Sequence, residues 1–415
     1  MWWRPRWRRS FWASASAGSA GPARRWWWWE SAWSADKAVS AASPAVWLFG
    51  ALTLAASGYY AAVVAAGIRF HVDVRRRRAL DPSPLPAVSI LKPIRGADAQ
   101  LLDNLRSHAR LDYPTFELVF GVADAEDPAL SVIEQLRQEF PAAAIRALVC
   151  GPAGDGNAKV AILEKLSAAA HHDVFLVDDA DIRLEPHTLR GMAGELSDEV
   201  GMVTALYRAR PGTTEASRLD AAWISADFSG QALIGAYLAG MSFALGAAML
   251  FRRRDLERIG GFSAIRPYLA DDYQLGVRIA ALGRPIRLSG QVVETISGDA
   301  GWGEVWRRHV RWSRTIRASR PGGHAGFAVT FGVLWSLLLL ASGGPAWMAA
   351  GCLLGRYAAS ASTASRTGAA VGWRAAPAEL WAAAVWLASF ASRNVNWRGR
   401  RLRLDAAGRI AGEAR

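Results

Sequence analysis

The stretch VFLVDDADIRLEP, residues 174–186, decides how this chain folds. Four apolar residues, typical of a buried strand, run directly into aspartates at positions 178, 179 and 181. Carboxylates this close together repel one another, and they become tolerable beside a sheet when a cation lies among them. The stretch therefore predicts a buried strand whose carboxyl end carries a charged binding site.

Similar apolar runs recur between residues 86 and 320 and alternate with stretches compatible with helices. This alternation predicts an α/β domain with a mostly parallel mixed sheet covered by helices. In such sheets ligands bind at the carboxyl ends of the strands. The runs are AVSIL (87–91), FELVFGVA (116–123), AIRALVC (144–150), DVFLVD (173–178) and GMVTALY (201–207).

Uncharged segments flank this domain on both sides. Residues 45–68 are long enough to cross a bilayer as a helix, and residues 325–342 form a second run of this kind. Two weaker apolar segments follow at 346–362 and 376–392. We therefore expect transmembrane helices at both ends of a membrane-embedded chain.

The formal net charge of +13 would suit nucleic acid as a partner. The basic excess instead lies beside the apolar runs, as RRRR at 75–78 and WRGRRLRL at 397–404. Basic clusters in this position are typical of cytoplasmic anchors on anionic lipid, so we expect no nucleic-acid partner. The two cysteines, Cys150 and Cys352, are too far apart in sequence for a CxxC metal site.

A cytosolic domain and a cytosolic tail require an even number of crossings after residue 324. One of the three later segments should then not cross. The first candidate is 376–392, which carries Glu379 and could be re-entrant or interfacial, and the second is 346–362, interrupted by Arg356.

The predicted organisation has five parts. The first part, residues 1–44, contains six Arg and nine Trp without any period. Either a disordered arm on the membrane or a start codon assigned too far upstream explains this composition. The parts are an N-terminal extension (1–44), a transmembrane helix (45–70), a cytosolic catalytic domain (71–320), a C-terminal membrane region (321–395) and a basic cytosolic tail (396–415).

Asp179 and Asp181 form a D-x-D pair at the end of the fourth run. Strand alternation would point both side chains to the same side if the extended geometry continued. Two carboxylates, together with water and phosphate oxygens, suit Mg²⁺ or Mn²⁺. An isolated D-x-D pair is weak evidence, because acidic loops are common and most are only solvated.

Further polar groups strengthen the interpretation. Pro93 ends the first run, where the backbone could line a nucleotide base. Asp124 ends the second run and could accept a hydrogen bond from the base or the ribose. Lys159 follows a Gly-rich turn and could meet phosphate.

Two later groups complete the set of candidates. Asp271 and Asp272 stand at the start of an amphipathic helix. Arg308, Arg311 and Trp312 lie on a helix shortly before the second apolar run. An arginine there can form bidentate contacts to a diphosphate, and a tryptophan offers a rigid wall beside a sugar or lipid.

Taken in order, these residues match the D, DxD, D, (Q/R)xxRW pattern of membrane-bound inverting glycosyltransferases. Within that group the sequence most resembles the ceramide glucosyltransferase family, over roughly residues 45–405. The blocks VSILKPIRGAD, LDYPTFELVFGVADAEDPA and DADIRLEPHTL carry the resemblance. The block RWSRTIRASRPGG (311–323) looks closer to the bacterial hopanoid-biosynthesis branch.

The resemblance implies a GT-A fold in a multi-pass protein of the bacterial inner membrane, with the catalytic domain in the cytosol. It implies transfer of one sugar, N-acetylglucosamine or glucose, from a UDP-sugar to a hydroxyl of a membrane lipid. The acceptor would be a hopanoid, bacteriohopanetetrol, and the alternative is ceramide. A divalent metal, Mg²⁺ or Mn²⁺, would be the cofactor.

The resemblance also implies a role for each matched residue. Asp124 would bind the uridine and Asp181 the metal on the diphosphate, with Asp179 supporting both. Asp272 would be the general base, with Asp271 as the rival base or a helix N-cap. The implied donor-binding residues are Pro93, Asp124, Lys159, Asp179, Arg308, Arg311 and Trp312.

Two other classes of protein share part of this pattern. A processive polysaccharide synthase carries the same four motifs but threads its polymer through a larger set of spans. A lipid-binding or nucleic-acid-binding protein without enzymatic activity would explain the basic charge. It would leave the ordered aspartates without a role.

Overall fold

The computed structural model describes residues 43–78, 85–397 and 400–413 and centres on one large mixed sheet. Its strands are β1 (Val88–Pro93), β2 (Phe116–Val122), β3 (Ile145–Val149), β4 (Val174–Val177), β5 (Ile182–Arg183), β6 (Met202–Pro211), β7 (Met249–Arg252) and β8 (Ile286–Gly298). They lie in the order β3-β2-β1-β4-β7-β6-β8-β5. Four of the seven neighbouring pairs are parallel. The predicted α/β domain with a mostly parallel mixed sheet is confirmed.

Helices connect the strands and continue beyond the sheet at both ends. Two π-helical turns, Trp223–Phe228 and Gly235–Gly240, follow the sixth and seventh helices directly. The α-helices are α1 (Pro44–Arg78), α2 (Leu101–Ala109), α3 (Ala129–Glu139), α4 (Ala158–Ala169), α5 (Thr188–Glu195), α6 (Glu215–Ala222), α7 (Ser229–Ile234), α8 (Arg253–Arg258), α9 (Asp271–Ala281), α10 (Trp302–Ser319), α11 (Pro321–Gly326), α12 (Gly332–Ala341), α13 (Ala346–Thr367) and α14 (Ala375–Ser389).

The parallel half of the sheet, β3-β2-β1-β4, forms the centre of the core. Its strands are the first four predicted runs, and they are mainly apolar because core residues cover both faces of the sheet. Ile90 and Leu176 pack into the core on one face, whereas Leu91 and Phe175 pack into the core on the other. All parallel strands therefore end at the same edge, where the predicted site residues follow.

The antiparallel part of the sheet was not predicted in full. β7 lies between β4 and β6 and runs antiparallel to both. β5 is two residues long and pairs with the end of β8. Short strands and a strand interrupted by Gly290 give no distinct apolar run in the sequence, which is why β5, β7 and β8 were missed.

Among the described residues, α1 alone is long and apolar enough to cross a bilayer by itself. The second predicted run is not one straight helix. The segment Pro321–Thr330 and helix α12 reach the necessary length together, but they are bent by 51° relative to each other. Neither α13 nor α14 meets the same criterion of length and composition.

The bend before α12 leaves backbone N–H groups at the start of that helix without acceptors in the helix itself. Buried side chains accept hydrogen bonds from these groups. Gly332 donates to the Tyr60 hydroxyl at 3.1 Å, and Val333 donates to Oε1 of Glu379 at 2.6 Å. The Tyr60 hydroxyl in turn donates to the Glu379 carboxylate.

Arg356 compensates the negative charge of the Glu379 carboxylate, which is buried among the helices. Its guanidinium lies 3.0 Å from Glu379 and 2.8 Å from Asp227. The arginine and the glutamate that interrupt the two weaker apolar segments thus form an ion pair between α13 and α14. Burial of both charges is tolerable because each has a partner.

The basic C-terminal segment folds into a three-stranded antiparallel sheet instead of a plain charged tail. Its strands are β9 (Asn394–Trp397), β10 (Arg400–Leu404) and β11 (Ile410–Glu413). Leu402 and Leu404 are buried with Val395 against Leu269, whereas Arg401 and Arg403 are exposed. The N-terminal extension predicted at 1–44 lies almost wholly outside the described residues.

Candidate active site

The D-x-D motif is a turn at the end of β4. The strand ends at Val177, and the Ile182 N–H donates to the carbonyl of Asp179 at 3.2 Å. The extended geometry on which strand alternation depends therefore does not continue through the motif. The two carboxylates are nevertheless close enough that Asp179 contributes to a raised pKa of Asp181.

A cluster of buried polar side chains, Lys92, His108 and Asp178, holds this turn in place. Asp178 is fully buried, and its carboxylate lies 2.9 Å from Nζ of Lys92 and in contact with Nε2 of His108. Burial alone would raise the pKa of Asp178, but Lys92 and His108 outweigh it and hold that pKa below its usual range. The Lys92 ammonium also donates to the carbonyl of Asp179 at 2.6 Å. The first aspartate of the run thus positions the second.

Lys159 joins the D-x-D turn to the start of α9. It lies in the first turn of α4, whose N-cap Asn157 accepts hydrogen bonds from the backbone of residues 159 and 160. Its Nζ lies 2.8 Å from Oδ1 of Asp179 and 2.8 Å from Oδ2 of Asp271. Burial would lower the pKa of Lys159, but the two carboxylates outweigh it and raise that pKa. Lys159 therefore stays charged and compensates the negative charges of Asp179 and Asp271.

The two aspartates at the start of α9 have different environments. Asp271 takes the ion pair with Lys159 and is 13% exposed. Asp272 accepts a hydrogen bond from the Tyr273 N–H at 2.7 Å and lies against Gly246. Burial, and secondarily the charge of Asp271, raises the pKa of Asp272 to about 6. A carboxylate with such a pKa can accept a proton near neutral pH.

Pro93 and Asp124 lie at the same edge of the sheet. Pro93 is buried at the end of β1, where it pairs in register with Gly121 of β2. Asp124 follows β2, is exposed, and accepts a hydrogen bond from the Glu126 N–H at 3.1 Å. Since β1 separates β2 from β4, Asp124 stands two strand spacings, about 10 Å, from the D-x-D turn.

The Arg308–Trp312 motif lies on α10 and is held by a residue that the sequence did not single out. Asp220, at the end of α6, is fully buried and contacts the guanidinium of Arg308. It also lies 2.7 Å from Nε2 of His309 and accepts from the Ser297 hydroxyl at 2.7 Å. These contacts outweigh the effect of burial and hold the pKa of Asp220 below its usual range.

Aromatic rings line the cleft beside this motif. Trp223 stacks on Trp312 with ring centroids 5.9 Å apart, and Tyr207 lies 4.9 Å from Phe228. Arg311, which precedes Trp312 on α10, is half-buried.

Tyr207 reports where the carboxylates converge. Its pKa is raised first by burial and then by the charges of Asp272, Asp181, Asp179 and Asp220. The D-x-D turn, Asp272 and Asp220 therefore all lie near Tyr207. Sequence reasoning missed Tyr207 and Asp220, because neither stands in a run or spacing that would distinguish it from a core residue.

The residues of the D-x-D turn fit a divalent cation. Desolvation, and secondarily the charge of the nearby Asp179, raises the pKa of Asp181. Thr295 donates to only one of its oxygens, at 2.9 Å. In the described part of the chain no cluster of three or more His, Cys, Asp or Glu side chains could hold a metal by itself. Oxygens of a bound diphosphate and water would have to complete the coordination.

The proteins similar to the chain include two curated relatives and one solved structure. Ceramide glucosyltransferase 1 of Caenorhabditis elegans is 25% identical over 61% of this chain and 54% of its own length. Ceramide glucosyltransferase 3 of the same organism is 28% identical over 58% of this chain and 53% of its own. The chain thus spans about half the length of these relatives.

The mannosyltransferase PcManGT from Pyrobaculum calidifontis, solved in complex with GDP-Man and Mn²⁺, overlaps with 82% of this chain and 99% of that chain. The identity is 18% and the TM-score is 0.46. The family model gives the decisive match, because it covers residues 51–410 and so includes every motif described above. The chain belongs to glycosyl transferase family 21.

Proposed function

We propose that this glycosyltransferase moves one sugar, with inversion, from a UDP-sugar to a hydroxyl of a membrane lipid. The observation that carries the proposal is the joining of the D-x-D turn to the start of α9 through Lys159. This contact brings a cation-binding turn and a carboxylate with a pKa of about 6 to the same cleft. A donor diphosphate and an acceptor hydroxyl need these two groups side by side.

Asp272 is the proposed general base. An alcohol is a poor nucleophile at neutral pH, so a base must take its proton as the oxygen bonds to C1 of the sugar. The bond from C1 to the diphosphate breaks in the same displacement, and UDP leaves. Asp271 is less suited to this role because Lys159 already occupies its carboxylate.

Asp179 and Asp181 would hold a Mg²⁺ or Mn²⁺ ion together with the diphosphate. The ion would stabilise the charge that grows on the leaving group. Lys159 would add positive charge at the same place, held there by its two carboxylates. Pro93 and Asp124, at the ends of β1 and β2, would contact the uridine.

Arg311 and Trp312 would contact the diphosphate and shape the entrance for the acceptor. The acceptor we propose is a hopanoid, bacteriohopanetetrol, on the basis of block 311–323. Ceramide is the alternative, and the names of the two nematode relatives support a lipid acceptor of that kind. The donor sugar would be N-acetylglucosamine or glucose.

We propose that the chain is a multi-pass protein of the bacterial inner membrane whose catalytic domain faces the cytosol. The apolar length of α1 supports one crossing. The bent pair before and including α12, followed by α13, would supply two more. Helix α14 would not cross, because Trp381 and Trp386 tie it to His309 and His324 beside the catalytic domain. A green fluorescent protein fused after Arg415 should fluoresce, and alkaline phosphatase activity from the same position would contradict this topology.

The purified full-length chain, given labelled UDP-N-acetylglucosamine or UDP-glucose and membrane lipid extract, tests the proposed activity. A single labelled glycolipid should form, and Asp272→Asn should abolish it. Chromatography separates this product from a polymer, which would indicate a processive polysaccharide synthase instead. Purified bacteriohopanetetrol and ceramide, offered separately, then identify the acceptor. No labelled lipid or polymer with any donor would refute the proposal.

A further inference from the structure

Asp220 is a buried carboxylate in a cluster of side chains from four elements of the fold. It stands on α6, and its partners are Ser297 of β8 together with Arg308 and His309 of α10. Helix α14 joins the cluster through Trp381, whose indole donates to Nδ1 of His309 at 3.0 Å. A buried carboxylate is costly without partners, and these contacts supply them.

The contact with Trp381 decides how His309 is protonated. An indole N–H can only donate, so Nδ1 of His309 must accept and its proton must lie on Nε2. Nε2 then donates to Asp220 across 2.7 Å. Burial lowers the pKa of His309, so the ring is neutral near neutral pH. The negative charge of Asp220 is therefore compensated by Arg308 alone within this cluster.

Trp312 is held by the same group of residues. Arg308 lies over its ring at 5.8 Å from the centroid, and His309 stacks on it with centroids 5.4 Å apart. Trp223, three positions after Asp220, lies 5.9 Å away and nearly parallel. Arg308 and His309, which contact Trp312, are thus themselves bound to Asp220. Trp223 lies one helical turn after Asp220 in the chain.

We propose that Asp220 is a positioning residue, and that Arg308 acts through Asp220 to orient Trp312 instead of binding the donor diphosphate directly. The inference rests on the proposed sugar transfer and changes the role that the motif pattern gives to Arg308. It predicts that catalysis needs a hydrogen-bond donor at position 308, whereas loss of the positive charge there lowers the stability of the fold and not the rate of sugar transfer. Glutamine can donate to a carboxylate without carrying a charge, whereas methionine can do neither.

The test compares Arg308→Gln, Arg308→Met, Asp220→Asn and the double variant Arg308→Met/Asp220→Asn in the full-length protein. We expect Arg308→Gln to keep kcat/KM within about threefold of the wild type and its UDP affinity unchanged. Arg308→Met and Asp220→Asn should each lose more than about tenfold in kcat/KM for the acceptor. The double variant should lose no more than the worse single variant, because both act on one cluster.

Asp227→Asn is the matched control. Asp227 is a carboxylate on the same helical run, but it pairs with Arg356 and not with α10. This variant should lower the melting temperature while the folded protein keeps its kcat/KM. If Asp220→Asn fails to fold, the comparison of Arg308→Gln with Arg308→Met still decides, since the Arg308 side chain is 23% exposed whereas Asp220 is fully buried.

Two results would overturn the inference. Equal losses of UDP affinity in Arg308→Gln and Arg308→Met would mean that the charge of Arg308 meets the diphosphate. Losses that multiply in the double variant would mean that the two residues act independently. The melting temperatures of the wild type, Arg308→Met, Asp220→Asn and the double variant must also be non-additive, and this readout does not depend on sugar transfer. An inactive wild type with non-additive melting temperatures would therefore refute the proposed function and leave the Asp220–Arg308 coupling standing.

Discussion

Nζ of Lys159 lies 2.8 Å from Oδ2 of Asp271, so the helix that follows β3 is bound directly to the helix that carries the catalytic candidates. This ion pair separates the roles of two adjacent carboxylates. Asp271 is committed to Lys159, whereas Asp272 faces the cleft with a raised pKa. The distinction leads to the first prediction.

Asp272→Asn should abolish turnover and change the affinity for UDP by no more than a few-fold, because only proton removal is lost. Asp271→Asn should weaken UDP binding through the displaced Lys159 while some turnover remains. Steady-state kinetics and UDP binding, measured on both variants, separate the two effects. Near-normal turnover in Asp272→Asn combined with an inactive Asp271→Asn would exchange the roles.

The pH dependence of the reaction should follow the ionisation of Asp272. Its pKa is raised to about 6, so the carboxylate is ionised above that pH and loses its capacity to accept a proton as the pH falls below it. We expect kcat/KM to fall about tenfold between pH 7 and pH 5. Thermal unfolding at each pH serves as the control for loss of structure. A flat profile down to pH 5 would contradict the assignment of the base.

Asp181→Ala should remove the dependence of UDP binding on metal and stop activity, and excess EDTA should stop the wild type in the same way. The physical reason is that Asp181 is the exposed carboxylate of the turn and has only the hydrogen bond from Thr295 on one oxygen. Asp198→Asn, at an aspartate that is 89% exposed on the protein surface, is the control. Undiminished activity in EDTA would remove the metal from the mechanism.

Leu402→Asp in the C-terminal sheet should destabilise the protein by about 3 kcal/mol and lower its activity. Leu402 is buried against Leu269, in the loop that immediately precedes Asp271 and Asp272. Arg403→Gln, at the exposed neighbouring position, should change neither property. Chemical unfolding and kcat measure the two effects. Full activity in a folded Leu402→Asp protein would show that the sheet does not position this loop.

Much of the fold could be predicted because its signals are local. β1 to β4 are mainly apolar runs, since a parallel sheet covered on both faces buries the side chains of its central strands. The position of Asp124 and Asp179 after such runs was enough to place both at one edge of the sheet. The motif spacing added Asp272 and the Arg308–Trp312 turn.

The sequence by itself therefore determined the α/β class, the edge of the sheet where the candidate site residues lie and the order of the carboxylates along the chain. Only the tertiary structure decided which of them are paired: Lys159 with Asp179 and Asp271, and Asp220 with Arg308. The tertiary structure also decided that the run 325–342 bends. Tyr60 and Glu379 accept hydrogen bonds from the N–H groups that the bend frees. Periodicity records whether a side chain is buried, but an ion pair or a hydrogen bond between distant segments leaves no period in the sequence.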